Sequence, residues 1–332
     1  MNTPELANSV RLTGDAVEIL DRRVYPFQRI WVRCTTSDEV AQAIRDMVTQ
    51  SSGPLFATTA AMVLAARSVR HRPRDLALAD LRAAGDRLVA TRPTNNHIRD
   101  AVHAILAELR DLGEGDLAEE VERAARAHDE AYRTRSAALG RHAADLLPDG
   151  ATVLTHCWAD YYLIATVQAT QEQGKHLEFV CTETRPYLQG ARLTAATLVE
   201  MGYEPTLITD GMVAAALADG VADVALVAAD RVTLDGHVIN KVGTLGVALA
   251  ANFAGRPFYA LVQRPDPQAP TPEDVVIEHR DPDEVLHVLG RRTAADGVTG
   301  HYPAFDTTPP DLVTRIVTEK GAFRPENVKE AI

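Results

Sequence analysis

The chain has 332 residues, is 46% hydrophobic, and carries a formal net charge of −12 with a sequence pI near 5.4. This length allows two domains or one large domain, and the apolar content is sufficient for a buried core. Nucleic-acid binding requires clustered cations that the acidic balance does not supply. We therefore expect a globular protein without a nucleic-acid partner.

The sequence predicts neither a signal peptide nor a membrane span nor a metal site. No basic segment followed by an apolar one stands at the N-terminus, and no apolar run approaches the length of a bilayer span. The three cysteines, Cys34, Cys157 and Cys181, contain no C-x-x-C pair, and the eleven histidines form no ligand-spaced pair near the candidate site. We expect a cytoplasmic protein with no membrane partner, no cofactor and no bound metal.

Residues 1–146 predict a mainly helical domain with short strands. Residues 15–34 are typical of two strands and a turn, and a helix capped by Ser37 follows. An apolar helix is predicted over 55–66, and further helices over 75–91 and 97–146 with a break near Gly113.

Two polar loops in this domain are candidate binding elements. Residues 50–54 form a breaker cluster that contains Ser52 and Gly53. Both a turn between helices and a backbone cradle for an anion remain open for it. Arg92 lies in the second loop, where an arginine before a proline is typical of a surface turn but is also able to fork onto a phosphate.

Residues 147–332 predict a Rossmann-like α/β domain with a parallel sheet. Short apolar strands alternate there with helical segments, which is the pattern of a sheet covered by helices on both faces. The predicted strands are 152–155, 177–182, 204–208, 224–228 and 258–262. Neither G-x-G-x-x-G after the first strand nor a P-loop motif is present, so the sequence gives no support for a nucleotide cofactor.

Residues 223–250 carry the strongest functional pattern. An apolar run that begins at Val224 predicts a strand buried on both faces, and a carboxylate, Asp230, follows this run. Residues 234–237 predict a hairpin tip because Asp-Gly tolerates positive φ. Asn240 and Lys241 then precede an apolar helix, and polar groups at a helix start favour an anion.

Reactive side chains follow four predicted strands, and the carboxyl ends of parallel strands face one crevice. The four segments are 155–157 with His156 and Cys157, 182–185 with Arg185, 209–211 with Asp210, and 230–231 with Asp230. Each has an ordinary structural explanation, since a buried cysteine is usually a small hydrophobe and a strand-end aspartate usually caps a helix. Together they favour a site. Neighbours on a strand point to opposite faces, so a Cys157–His156 dyad is not expected.

Several long motifs resemble the family of methylthioribose-1-phosphate isomerases, which includes ribose-1,5-bisphosphate isomerases and regulatory subunits of translation initiation factor 2B. The matching segments cover nearly the whole chain and are 18–21, 43–47, 91–94, 183–195, 229–231, 240–244 and 303–309. The resemblance implies that Cys157 and Asp230 are the catalytic pair. It also implies that Arg92, Gln189, Asn240 and Lys241 hold the sugar phosphate, and that the chain forms a homodimer or larger assembly. Ser52 and Gly53 are expected to bind substrate through the anion cradle that their loop offers.

The implied reaction converts a 5-substituted ribose 1-phosphate into the ribulose 1-phosphate. Asp230, desolvated at the end of its strand, is expected to be protonated and to open the ring. Cys157, with a pKa lowered by a helix start and nearby cations, is expected to be the base for C2, and a hydride shift is the competing route.

The chain also departs from the family pattern. Residues 50–56 replace the usual Arg-Gly-Ala-Pro-Ala-Ile-Gly, and Trp158-Ala159-Asp160 replaces the usual Asn-x-Gly after the cysteine. A tighter recess near C5 would favour a deoxy or halo substituent over methylthio or phosphate. A ribose-1,5-bisphosphate isomerase and a non-catalytic subunit of the initiation-factor type are the alternatives.

Overall fold

The computed structural model describes residues 3–92, 96–109 and 115–332. The chain divides into two compact units, Glu5–Thr134 and Arg135–Ile332, and the second also includes the described residues before Glu5. The predicted domain boundary at residue 146 falls at the end of a helix, Leu117–Leu146, which crosses this division. Among the helices that these ranges contain, none has the length and apolar character that crossing a bilayer requires.

The N-terminal unit combines a small antiparallel sheet with helices. Its three strands pair in the order β1-β2-β3 and are β1 (Val10–Thr13), β2 (Ala16–Leu20) and β3 (Trp31–Cys34). Its helices are α1 (Ser37–Arg45), α2 (Gly53–Val69), α3 (Arg74–Val89), α4 (Asn96–Glu108) and the first part of α5 (Leu117–Leu146). The sequence predicted β2 and β3 but missed β1, whose four residues alternate between half-buried and exposed. Gly113, near the predicted break, lies outside the described residues.

The cap of α1 is Thr36 and not Ser37 as predicted. Thr36 has an extended backbone, and its hydroxyl accepts a hydrogen bond from the Glu39 N–H at 3.2 Å. The Glu39 carboxylate in turn accepts from the Thr36 N–H at 3.2 Å, which completes a capping box. The pattern Thr-x-x-Glu therefore fixes the helix start one residue earlier than the prediction.

Helix α2 is the centre of the N-terminal core. Its residues from Gly53 to Ala66 are all buried, so the helix is enclosed on every side. Buried side chains of the other helices pack in the same hydrophobic cluster, among them Ile44, Leu81 and Ile98.

The C-terminal unit is built on a seven-stranded sheet in the order β15-β14-β10-β7-β4-β5-β6. Its strands are β4 (Thr152–Thr155), β5 (Glu178–Thr182), β6 (Thr206–Ile208), β7 (Val224–Ala228), β10 (Phe258–Leu261), β14 (Arg315–Thr318) and β15 (Gly321–Phe323). Only β15 runs antiparallel to its neighbour. The first five strands were predicted, and the fold class, a mainly helical N-terminal part with a Rossmann-like parallel sheet, is confirmed.

Helices and short antiparallel pairs complete this unit. The helices are the remainder of α5, α6 (Tyr161–Glu172), α7 (Ala195–Glu200), α8 (Val213–Ala218), α9 (Thr244–Phe253) and α10 (Asp283–Leu286). The antiparallel strands are β8 (Arg231–Val232), β9 (Val238–Lys241), β11 (His287–Val288), β12 (Arg291–Arg292) and β13 (Phe305–Thr308). The predicted hairpin tip at 234–237 joins β8 to β9, with Gly236 at φ 90°.

Candidate active site

Cys157 and Asp230 lie at the ends of neighbouring strands. Strands β4 and β7 pair in parallel, and each residue follows the last residue of its strand by two positions. The negative charge of Asp230 is close enough to affect the Cys157 thiol, and so is the positive charge of Lys241. The structure therefore brings a thiol, a carboxyl and an ammonium group together at one edge of the sheet.

The backbone of Cys157 is held on both sides in an uncommon conformation. Its φ is +66°, and that of Thr184, a β-branched residue at the end of β5, is +61°. The Cys157 N–H donates to the Thr184 hydroxyl at 2.9 Å, and the Thr194 hydroxyl donates to the Cys157 carbonyl. Such conformations cost roughly 1–3 kcal/mol each and persist only where the surroundings fix them, so the position of Cys157 is set by its neighbours.

The electrostatic prediction for Cys157 is wrong for the structure as it stands. Burial raises the pKa of the Cys157 thiol to about 11. The charge of Lys241 lowers this pKa, whereas the charges of Asp210 and Asp230 raise it further. Part of the residue is still reachable by solvent. A thiol with this pKa is protonated at neutral pH, because enclosure outweighs the single nearby cation.

The expected desolvation of Asp230 is also not provided by the folded chain. Residues 224–227 of β7 are buried, but Asp230 itself is exposed. The strand ends before the carboxyl, and the buried part of the run therefore does not enclose it. Asp230 is placed where a ligand can reach it.

Asn240 and Lys241 are the last residues of β9, and both are buried. The Lys241 Nζ lies over the rings of Phe305 and Tyr302, 4.9 Å and 5.8 Å from their centroids. The Asn240 side-chain amide donates to the Thr244 hydroxyl at 3.0 Å. These contacts fix an ammonium and an amide at the start of α9, which is suitable for an anion.

Asp306 joins the start of α9 to β13. Its carboxylate accepts the N–H groups of Gly243 at 2.7 Å and Leu245 at 3.2 Å. Burial raises the pKa of Asp306 to about 6, although these two N–H groups and Lys241 lower it. The carboxylate thus holds β9, β13 and α9 together beside Lys241.

Gln189 is buried immediately before a single π-helical turn, Gly190–Thr194. A Cβ atom on Gly190 would lie 1.8 Å from the Thr182 carbonyl oxygen, so only glycine allows the turn to approach the end of β5. This approach also brings Thr194 to the Cys157 carbonyl. Turns of this kind are frequent at functional sites.

Not every strand-end group predicted to face the crevice is available to a ligand. The Arg185 guanidinium donates to the carbonyls of His287 at 2.8 Å and Val285 at 3.0 Å. The Asp210 carboxylate accepts the N–H groups of Thr184 at 2.8 Å and of Arg185 at 2.7 Å. Asp210 and Arg185 therefore fix loops. Asp210 is still near enough to Cys157 to affect its thiol, and the prediction that the strand-end groups face one crevice stays a prediction for Arg185.

Ser52, Gly53 and Arg92 belong to the N-terminal unit, where Ser52 and Gly53 begin α2 and Arg92 follows α3. Ser52 is buried and precedes Gly53, whose added Cβ would lie 1.8 Å from the Thr49 hydroxyl oxygen. The Arg92 guanidinium donates to the Met47 sulfur at 2.9 Å. Residues 93–95, the rest of the predicted Arg92 loop, lie outside the described residues.

The buried Arg22 supports the same loop and was not predicted from the sequence. Its guanidinium donates to the Gln50 carbonyl at 2.5 Å and to the Ser9 hydroxyl at 2.8 Å. Hydropathy alone marks an arginine as a surface residue, and its burial follows from pairing across the fold. Thr184 and Thr194 were missed for a related reason, because their hydroxyls act on backbone groups distant in sequence.

The described ranges contain no group of three His, Cys, Asp or Glu side chains placed to hold a metal. The groups that the C-terminal unit brings together are instead a thiol, a carboxyl, an amide and an ammonium. Such a set is able to bind a phosphate ester and to move hydrogen on a neighbouring carbon.

Comparison with known proteins agrees with this chemistry. A model of the Initiation factor 2 subunit family matches residues 49–325. The chain is 36% identical to a methylthioribose-1-phosphate isomerase from Pelotomaculum thermopropionicum, over 98% of this chain and 94% of the relative.

Two solved structures also match over nearly their whole length. The 5-methylthioribose 1-phosphate isomerase from Pyrococcus horikoshii OT3 has a TM-score of 0.89 and 28% identity, covering 99% of this chain and 96% of the other. The delta subunit of translation initiation factor eIF-2B from A. fulgidus has a TM-score of 0.82 and 32% identity, covering 96% of each chain. The chain therefore belongs to the Initiation factor 2 subunit family, and it is an isomerase of that family.

Proposed function

We propose that the chain converts a 5-substituted ribose 1-phosphate into the corresponding ribulose 1-phosphate. The observation that carries the proposal is the placement of Cys157 and Asp230 at adjacent strand ends beside the buried Lys241. Relatives named methylthioribose-1-phosphate isomerase match nearly the whole chain, so methylthioribose 1-phosphate is the first substrate to test.

Asp230 is the proton donor that opens the furanose ring. Its exposed carboxyl is accessible to the ring oxygen, and a bound sugar supplies the desolvation that the free chain lacks. The bond between C1 and the ring oxygen breaks as that oxygen takes the Asp230 proton. The positive charge that develops on C1 is shared with the phosphate ester oxygen.

Two routes then move hydrogen from C2 to C1. In the hydride route, the C2 hydrogen passes to C1 with its electron pair, and the C2 hydroxyl loses its proton as the ketone forms. In the proton route, a Cys157 thiolate takes the C2 proton and an enol phosphate forms. The thiol then delivers a proton to C1 while the C2 hydroxyl gives its proton to the Asp230 carboxylate, which leaves the ketone. The raised pKa of Cys157 favours the hydride route, because a thiol that stays protonated at neutral pH is not a base.

Turnover in deuterated water separates the two routes. The hydride route predicts a ketose with no solvent deuterium on C1, measured by NMR of the product. Deuterium on C1 of the product would contradict it, because that deuterium enters only when a base removes the C2 proton and exchanges it with solvent.

Asn240, Lys241 and Gln189 are the proposed phosphate and sugar contacts of the C-terminal unit. All three are buried. Lys241 supplies a positive charge, and the flanking aromatic rings hold its side chain in place. Arg92, Ser52 and Gly53 of the N-terminal unit remain predictions for substrate binding. The resemblance supports Arg92, and the position of Ser52 and Gly53 at the start of α2 supports a backbone cradle for an anion.

The 5-substituent is best assigned by direct comparison of substrates. Trp158 follows Cys157 and is buried, and the 50–56 loop differs from the family pattern. We propose methylthio, hydrogen and halogen as the candidate substituents. The kcat/KM of each ribose 1-phosphate, with ribose 1,5-bisphosphate as the comparison, identifies the preferred one. A higher kcat/KM for the bisphosphate than for all three would contradict the proposal.

The sequence alone also left open a non-catalytic role of the initiation-factor type, and a subunit of that factor shares the fold. A folded protein without turnover on any of these sugars would support it. We also propose that the chain forms a homodimer or larger assembly, which sedimentation analysis of the purified protein tests.

A further inference from the structure

A buried histidine lies between the two segments that carry the proposed chemistry. His156, next to Cys157, is 2% exposed, and both of its ring nitrogens have partners. Nδ1 lies 2.7 Å from the Thr182 hydroxyl, and Nε2 lies 3.0 Å from the carbonyl oxygen of Val242. The ring therefore links the end of β5 to the residue that follows Lys241.

The partners determine the direction of each hydrogen bond. A carbonyl oxygen only accepts, so the Val242 contact requires a hydrogen on Nε2. In a neutral imidazole Nδ1 then accepts from the Thr182 hydroxyl. The Thr182 oxygen, having donated its hydrogen, accepts from the Thr184 hydroxyl at 3.1 Å.

The same series of hydrogen bonds, here called the hydrogen-bond chain, reaches Cys157. The Thr184 oxygen, which donates to Thr182, accepts the Cys157 N–H at 2.9 Å. From the Cys157 N–H to His156 Nε2–H, each group therefore donates one hydrogen bond, and each donates to the next group in the same direction. This hydrogen-bond chain begins at Cys157, which has a positive φ, and passes through the hydroxyl of Thr184, which also has a positive φ.

The ring also packs tightly against the start of α9. A Cβ atom on Gly243 would lie 2.8 Å from His156 Cε1 and Nε2, so the imidazole rests directly on the glycine backbone. A shift of this ring moves both Val242 and Gly243, the residues that directly follow Lys241.

We propose that His156, acting through Thr182 and Thr184, is a positioning residue that holds the strained Cys157 backbone in register with the end of β9. This inference rests on the proposed isomerase activity, in which the two segments act on one sugar. His156 itself touches no substrate. Its role requires the neutral tautomer that carries hydrogen on Nε2.

The charged groups that act on the ring are consistent with a neutral imidazole. Burial lowers the pKa of His156, and Lys241 lowers it further, whereas the Val242 carbonyl and Asp210 raise it. Burial is the largest of these effects, so the tautomer argument holds at neutral pH.

The test uses a matched pair of variants at Thr182, in the middle of the hydrogen-bond chain. Thr182→Val removes the hydroxyl with little change of shape, and Thr182→Ser keeps it. The first readout is the rate at which iodoacetamide alkylates the Cys157 thiol, with Cys157→Ser as the background control for the buried Cys34 and Cys181. The second is the split of isomerase kinetics into kcat and KM.

We expect Thr182→Val to change the alkylation rate of Cys157 and to lower kcat about tenfold or more, with KM within about twofold, because misplaced reacting groups lose rate before affinity. Thr182→Ser should restore both quantities to within about twofold. Thr182→Val with wild-type alkylation and kcat would overturn the proposal, and so would equal losses in the two variants.

The imidazole nitrogens of the wild-type protein give a test that requires neither a variant nor a substrate. Nitrogen-15 NMR should show His156 as the Nε2–H tautomer, and the Nδ1–H tautomer would overturn the proposal even if Thr182→Val fails to fold. Absence of turnover on every sugar phosphate would instead count against the proposed function, and the alkylation and tautomer results would still decide the position of Cys157.

Discussion

At the scale of single residues, Cys157 and Asp230 differ in how the protein surrounds them. The thiol is fixed by hydrogen bonds on both sides of its backbone and has a raised pKa. The carboxyl is exposed at the end of β7. Changing the carboxyl should therefore affect the chemistry without affecting the fold.

Asp230→Asn is expected to lower kcat by about 100-fold or more, because a positioned general acid contributes roughly that much. Its melting temperature should stay within a few degrees of the wild-type value, since the residue is exposed. Asp219→Asn, an exposed change at the end of α8, is the control and should leave kcat unchanged. Wild-type kcat in Asp230→Asn would remove Asp230 from the proposed mechanism.

The residues predicted from the sequence and those missed differ in physical character. Cys157, Asp230, Asn240 and Lys241 follow or end short apolar runs, and strand alternation is visible in a single sequence. Thr184, Thr194 and Arg22 act through hydrogen bonds to residues far along the chain. Pairing of that kind depends on the folded arrangement and leaves no local pattern.

Predicted side-chain electrostatics failed at the same residues for a related reason. The pKa of Cys157 depends on the balance between enclosure and one ammonium group, and the sequence shows the ammonium group but not the enclosure. The exposure of Asp230 depends on where β7 ends relative to its neighbours. Both quantities are set by the whole unit.

At the scale of elements, the junction of β9 and α9 is the most constrained part of the site. Gly243 has φ +106°, and the imidazole ring of His156 packs directly against it. Asp306 on β13 fixes the same turn through the Gly243 N–H. A side chain at Gly243 would therefore be strained and would displace a buried ring.

Gly243→Ala is expected to destabilise the protein by about 1–3 kcal/mol, because alanine is strained at this φ and its Cβ overlaps His156. Gly246→Ala, three residues later in α9, is the matched control. A Cβ there meets open space, so it should be neutral or slightly stabilising. Urea unfolding measures both, and equal stability of the two variants would contradict the described junction.

Strands in the middle of the parallel sheet were predicted most reliably, and short strands at the edges of sheets least reliably. The predicted bounds of β4 and β7 agree with the structure, and both strands are mostly buried. Strands β1 and β15 have only four and three residues, none of them buried, and strands this short give too few positions for a periodic pattern.

At the scale of the whole molecule, the fold class was predictable from the distribution of helix and strand patterns along the sequence. Helical periodicity dominates before residue 147, and strands alternate with helices after it. The division that the structure shows falls within α5, because a long helix contributes residues to both units and has no compositional mark at that point.

The three buried or partly buried thiols predict a loss of stability in alkali. Burial raises the pKa of Cys34 and Cys157 to about 11 and that of Cys181 to about 12, from an ordinary value of 9.0. Above pH 9 the unfolded chain releases thiol protons that the folded chain keeps, so the folded state loses stability as pH rises.

Cys181→Ala isolates this effect from other groups that titrate in alkali. The free energy of unfolding of the wild type relative to Cys181→Ala should fall between about pH 7.5 and about pH 10.5, measured by urea titration at each pH. A difference that is constant across this range would show that the pKa of the Cys181 thiol is not raised.

The most direct test of the account follows methylthioribose 1-phosphate by phosphorus-31 NMR with the wild-type protein and with Cys157→Ser. We predict that the wild type converts the substrate signal to that of a ketose 1-phosphate without releasing inorganic phosphate. We also predict that Cys157→Ser is slower by about tenfold or more, because in the hydride route the thiol shapes the apolar surroundings of the reacting carbons. Release of inorganic phosphate, no ketose from methylthio-, deoxy- or halo-ribose 1-phosphate, or an unchanged rate in Cys157→Ser would contradict the account.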